Sequence, residues 1–205
     1  SQVAGLTTTQ MAALESADVR ALSTAAVKAL STDQLNALAS DNVVALTTTQ
    51  VATLTSTQVA GLATATLAAL ETNDVRALST SAIANLSSDQ LLGMTSDQIG
   101  AFTTGQVTKL TSDQLGALGT EDLNAFGTGQ FSVLGSAQVA GLTTTQMAAL
   151  ETADVRALST TAIAKLSTDQ LGAMSSDGLG ALTTAQVSKL SSEQIAGLGT
   201  EDLNA

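Results

Sequence analysis

Glu, Asp and Arg recur at one fixed spacing in three eight-residue words: ESADVRAL at Glu15–Leu22, ETNDVRAL at Glu71–Leu78 and ETADVRAL at Glu151–Leu158. Together these words hold every Arg of the chain. Two carboxylates beside a guanidinium can do acid–base work inside a desolvating pocket, whereas in water they form an ion pair of little energetic weight. Nothing in the words supplies a pocket. The trios Glu15, Asp18 and Arg20, Glu71, Asp74 and Arg76, and Glu151, Asp154 and Arg156 are therefore expected to be structural ion pairs on a solvated face, with Glu standing where Ser or Thr caps elsewhere.

Single acids follow another rhythm, at Asp33, Asp41, Asp89, Asp97, Asp113, Asp169 and Asp177. Calcium needs several converging oxygens, and both the EF-hand loop and the Gly/Asp nonapeptide are missing. Acids that complement a helix N-terminus explain the series more simply. No cofactor is expected, and calcium is the one ion these carboxylates would attract. Thr runs such as TTTQ at Thr47–Gln50 offer a hydroxyl row to ice or a carbohydrate, and helix capping is the other use of the same residues.

The rest of the composition removes most chemistry. With no His and no Cys, the usual metal ligands, nucleophile–base pairs and proton shuttles are absent, so no enzyme is expected. The net charge is −11, and the seven cations are scattered singly, which leaves no basic stripe to neutralise phosphates. Nucleic acid is thus an improbable partner. Apolar runs such as VVAL at Val43–Leu46 are far short of the roughly 20 residues that cross a bilayer, so membrane insertion is not expected either.

What must position these residues is a repeat of eight. Blocks ending on Leu6, Leu14, Leu22 and so on to Leu198 align without insertion or deletion, giving about 25 octads of consensus [Ser/Thr]-[Ser/Thr]-x-[Gln/Asp]-[Val/Ile/Leu]-x-[Ala/Gly]-Leu. Position five is always apolar and position two always Ser or Thr; position eight is Leu except at Met94, Phe102, Phe126 and Met174. QVAGLTTTQMAALE at Gln2–Glu15 returns at Gln138–Glu151, and GTEDLNA at Gly119–Ala125 returns at Gly199–Ala205. Residues 58–125 and 138–205 are therefore copies, offset by 80 residues, inside one continuous array over 1–205. So strict a period specifies a stack of like units.

Positions five and eight are i and i+3, which share a helix face but oppose each other in a strand. A continuous helix would rotate that pair by roughly 80° per octad, so the helix must break once in each. In LSTDQLNAL (Leu30–Leu38), Ser31 can cap, Gln34 can complete a capping box and Leu30 can staple to Leu35. Capping by position two, the invariant Ser/Thr, is the alternative register, and the sequence leaves both open. An octad cannot fold alone: burying its two large apolar side chains contributes about 3–6 kcal/mol, against about 8–16 kcal/mol of backbone entropy. The expected fold is all-α, an elongated solenoid of very short helices, one per octad, with two octads to a coil. A β-solenoid with 16 residues per coil is the runner-up, since Val, Ile and Thr favour strands.

The stretch Gly116–Gly141 departs most from consensus. Three octads begin with Gly119, Gly127 and Gly135, and Phe126 and Phe131 lie among them. One reading is a softer joint at Gly127 whose Phe126 and Phe131 rings dock a neighbouring chain; the other is an ordinary coil with Gly as a cap and Phe filling a wider core.

The words LTTTQVA at Leu46–Ala52, LSTDQLGA at Leu166–Ala173 and LTSDQLGAL at Leu110–Leu118 resemble the octapeptide arrays of very large proteobacterial secreted surface and adhesin-like proteins. That resemblance covers the whole chain and implies an extracellular or cell-surface location and a stalk-like or filament-forming role. The expected function is a non-catalytic spacer or filament segment, its partners further copies of itself or neighbouring repeats of a longer parent. A module binding ice or glycan through Ser/Thr rows is the alternative.

Overall fold

A computed structural model describes residues 2–199 and contains, among them, 24 α-helices of four to six residues, one per octad, with a 3-10 turn at Gln2–Gly5 and no strand. The β-solenoid is thereby set aside, and the helical reading holds. The second copy of the expected duplication ends at residue 205, so its last residues, 200–205, lie outside the described part.

Position one caps, which settles the register. Ser31 takes extended backbone (φ −74°, ψ 163°) and its hydroxyl accepts from the Gln34 N–H at 3.1 Å, while Gln34 Oε1 accepts from the Ser31 N–H at 2.9 Å. The helix Thr32–Asn36 follows and ends at Ala37. Position eight is extended again where the next corner begins, as at Leu118 (φ −63°, ψ 144°). Each whole octad among the described residues thus spends four to six residues as helix and the remainder as a corner. Among the described residues none needs positive φ to make it.

The chain divides into two compact units, Ser1–Phe102 and Thr103–Ala205. In the first, helix Ser56–Ala60 packs on Thr80–Ala84, and Thr48–Val51 packs on Thr72–Ala77. In the second, Thr128–Phe131 packs on Thr152–Ala157, and Ser136–Ala140 packs on Thr160–Ile163. Within each unit packed helices thus stand three octads apart, and side-chain bonds reach back 28 to 31 residues. A turn of the coil takes between three and four octads, which corrects the expected two. Two extended residues turn the chain through a corner and do not fold it back as a hairpin loop does, so closure needs more sides.

Positions five and eight fill the interior. Val59, Leu62, Leu67 and Leu70 in the first unit, and Val139, Leu142, Val155 and Leu158 in the second, are all buried. Position two packs against position seven of the octad three further on. A methyl added at Gly93 would stand 2.8 Å from Thr64 Cβ, and one at Gly141 would collide with Ser112 Cβ. Small residues at such crossings let successive turns approach closely.

Candidate functional site

The most regular polar feature is the position-four glutamine, and it does two jobs. In the first unit Gln98 is 2% exposed; its Oε1 accepts from the Thr95 N–H at 3.0 Å. Its Nε2 donates to the carbonyls of Leu67 at 3.0 Å and Leu70 at 2.6 Å, four octads back. Gln50 repeats this toward Val19 and Leu22, and Gln90 toward Val59 and Leu62. In the second unit Gln138 reaches Val107 and Leu110, and Gln146 reaches Leu115 and Leu118. The acceptors lie where a short helix ends: the position-five carbonyl also accepts from the position-eight N–H, as Leu67 does from Leu70 at 3.1 Å, and the position-eight carbonyl belongs to the extended corner. One amide therefore closes the start of its own helix and the end of another.

The sequence discloses only half of this. The capping box is legible from Ser31 and Gln34; the bridge between turns is not. The available signal was the amide itself. In a chain whose net charge is −11, Glu would serve the box and the helix dipole equally well, but only an amide carries a donor beside its acceptor.

At position four Asn42 keeps the bridge, and at position six Asn36 and Asn124 add a contact of their own. Asn42 Nδ2 donates to the Leu14 carbonyl at 2.6 Å, and its Oδ1 accepts from the Ser16 hydroxyl at 2.9 Å. Asn36 Nδ2 donates to the Gly61 carbonyl at 2.9 Å, while its Oδ1 accepts from the Ala63 N–H at 2.8 Å and the Thr66 hydroxyl at 3.2 Å. Asn36 thereby supplies to the Ala63 N–H the acceptor that a position-four Gln gives elsewhere, since this octad has Thr66 there. In the second unit Asn124 Nδ2 donates to the Ala149 carbonyl at 2.8 Å, but its buried Oδ1 has no partner.

The acid–Arg words divide. Glu15, Asp18, Arg20, Glu71, Arg76, Glu151 and Arg156 are exposed, and the Glu15 N–H donates to Asp18 Oδ2 at 3.3 Å. Asp74 and Asp154, expected on the same solvated face, are instead 2% and 4% exposed. They occupy position four, which is turned inward in their octads but not at Gln10 or Asp18 near the start of the array. Burial, reinforced by nearby Glu151, pushes the Asp154 carboxyl up to about 6. Burial also raises Asp74, partly offset by a hydrogen bond from the Thr48 hydroxyl.

The Gly-rich stretch is an ordinary part of the second unit. Phe126 and Phe131 are 2% and 0% exposed and meet edge to face, with centroids 6.1 Å apart. Rings so buried cannot dock a neighbouring chain, which corrects that expectation in favour of the wider-core reading. Gly127 is a plain N-cap whose N–H donates to Gln130 Oε1 at 2.7 Å. The boundary between units falls at Phe102, not here.

The hydroxyl rows are mostly engaged or irregular. Position-one hydroxyls such as those of Thr55, Thr95 and Ser167 accept from the backbone N–H three residues on. Exposed position three varies from Thr49 to Asp89, Gly129 and Ala137. Among the described residues, no three His, Cys, Asp or Glu side chains come together as a metal site.

The ALTTAQ repeat family matches the chain at residues 11–48, 67–104, 115–152 and 147–184, well over half of its length. The chain belongs to the ALTTAQ repeat family. No curated protein matches it. Each ALTTAQ match starts at position five and ends at position two of a later octad, a span that can hold one complete bridge. Gln98 to Leu67 and Leu70, Gln146 to Leu115 and Leu118, and Asn42 to Leu14 each lie inside one match. The ALTTAQ unit thus corresponds to a turn of the coil together with the residues that close it.

Proposed function

We propose that this ALTTAQ array is a non-catalytic structural spacer, with a reach set by octad number, that stands at a bacterial surface or outside the cell. One observation carries the reading. Gln50, Gln98, Gln138 and Gln146, the polar groups best placed to do chemistry, are buried and already engaged by a cap and a carbonyl. Such internal use suits a spacer, because each added octad brings the donor that closes an earlier turn.

The same chemistry makes another array the natural partner. A turn is recognised through Gln amides, Leu carbonyls and rows of Val and Leu, all of which any copy or any neighbouring repeat of a longer parent carries. Self-association, end to end or side to side, follows from that likeness. Neither nucleic acid nor a bilayer enters this reading: the cations are scattered, and no helix among the described residues is long and apolar enough to cross a membrane. The surface or extracellular placement rests on the resemblance of the octapeptide words.

Small-angle scattering of the full chain across a concentration series tests both parts. Apparent mass that rises with concentration supports self-association, and constant monomer mass removes it while leaving the spacer. A radius of gyration of about 17 Å, the value for a compact globule of this length, would contradict the spacer itself.

A further inference from the structure

Asn36 and Asn124 occupy the same octad position and begin the same contact in different units. Each amide donates to a last-turn carbonyl 25 residues on, Asn36 to Gly61 at 2.9 Å and Asn124 to Ala149 at 2.8 Å. Thirty residues on from Asn36 stands Thr66, whose hydroxyl donates to Asn36 Oδ1 at 3.2 Å. Thirty residues on from Asn124 stands Asp154, and Asn124 Oδ1 is buried without a partner. A carboxylate offers acceptors only, so an ionised Asp154 cannot complete the contact; a protonated one can. Leaving a buried acceptor unpaired is costly, which favours the proton.

We propose that Asp154, in its protonated form, donates a hydrogen bond to Asn124 Oδ1 and so forms a proton-dependent lock between turns of the second unit. The proton comes from solvent and stays on Asp154; no other bond forms or breaks. Burial of Asp154, with Glu151 adding repulsion, lifts its titration to about 6, within the range where mild acidification sets the lock. The charged groups around it are few. Its own octad carries Glu151 and Arg156, and the packed helix Ser176–Gly180 carries Asp177. The packed helix Thr128–Phe131 carries none, and the Asn124 helix carries Glu121 and Asp122.

The test is a carbon- and nitrogen-detected NMR titration of the full chain from acid to neutral pH, following the Asp154 carboxyl and the Asn124 side-chain amide. The expected result is a single midpoint near 6 for both groups, and in Asn124→Ala a fall of the Asp154 midpoint by about one pH unit. An Asn124 amide that stays still while Asp154 titrates overturns the proposal. So does an Asp154 midpoint unchanged in Asn124→Ala, which assigns the shift to burial alone. Should that variant fail to fold, the wild-type amide response decides. Asp74→Asn is expected to leave both curves unchanged.

Discussion

Octads with glutamine at position four and octads with aspartate there share one backbone and differ in one functional group. Thr95 and Glu151 open their helices at nearly the same angles, φ −80° and ψ 155° against φ −74° and ψ 150°. Three residues on, Gln98 and Asp154 are buried alike. Gln98 meets the demand of the site for an acceptor and a donor at any pH. Asp154 has only acceptors and is driven toward its protonated form. At the inward side of position four an amide supplies acceptor and donor together, whereas an acid placed there becomes sensitive to pH.

The largest break in that comparison comes from turning one kind into the other. Gln98→Glu should put a carboxylate against the carbonyls of Leu67 and Leu70 and cost about 3–5 kcal/mol at neutral pH, as an uncompensated buried charge does. Urea unfolding at pH 7 and pH 4 would measure it, and acid should recover part of the loss. Gln98→Ala keeps no charge but orphans the same groups, and should cost about 1–3 kcal/mol at either pH.

Packing between turns gives the next effect. Gly141→Ala drives a methyl into Ser112 and should destabilise by about 1–3 kcal/mol, whereas Gly172→Ala meets nothing and should stabilise by about 0.5–1 kcal/mol. Thermal unfolding of the two variants, compared with the parent chain, would separate close approach from helix propensity.

The pH dependence sharpens the acid side. Because Asp154 titrates near 6 when folded against an ordinary 3.8, the folded chain binds the proton more tightly. Its contribution to stability is complete below about 4 and is lost as pH rises through about 6. Asp74 shifts in the same direction. Asp154→Asn should flatten most of the loss, read as the melting temperature between pH 4 and pH 7. The smallest effect is at a cap: Gly135→Ser should gain a few tenths of a kcal/mol by supplying the missing hydroxyl, visible as a slightly higher urea midpoint.

These contrasts also mark what the sequence could disclose. The i, i+3 pairing of positions five and eight specified helix, and Ser31 with Gln34 offered one of the two registers in which it could start. Both are local signals, spent within one octad. The number of octads per turn was not legible, since it depends on the angle of a two-residue corner. Nor was the inward side of position four, because Asp74 and Asp154 look like surface acids until the octads three and four places back are set beside them. Phe126 and Phe131 misled for a similar reason: an aromatic that departs from a Leu consensus fits a docking ring and a wider core equally well, and only packing decides.

The central claim is that buried glutamine amides hold one turn to the next. Hydrogen exchange of the side-chain NH2 groups tests it most directly, comparing Gln98, which binds Leu67 and Leu70, with Gln10, which is exposed and bonds within its own cap. The account predicts exchange at Gln98 slower than at Gln10 by about 100-fold or more, tracking opening of the stack. Equal rates at the two would contradict it.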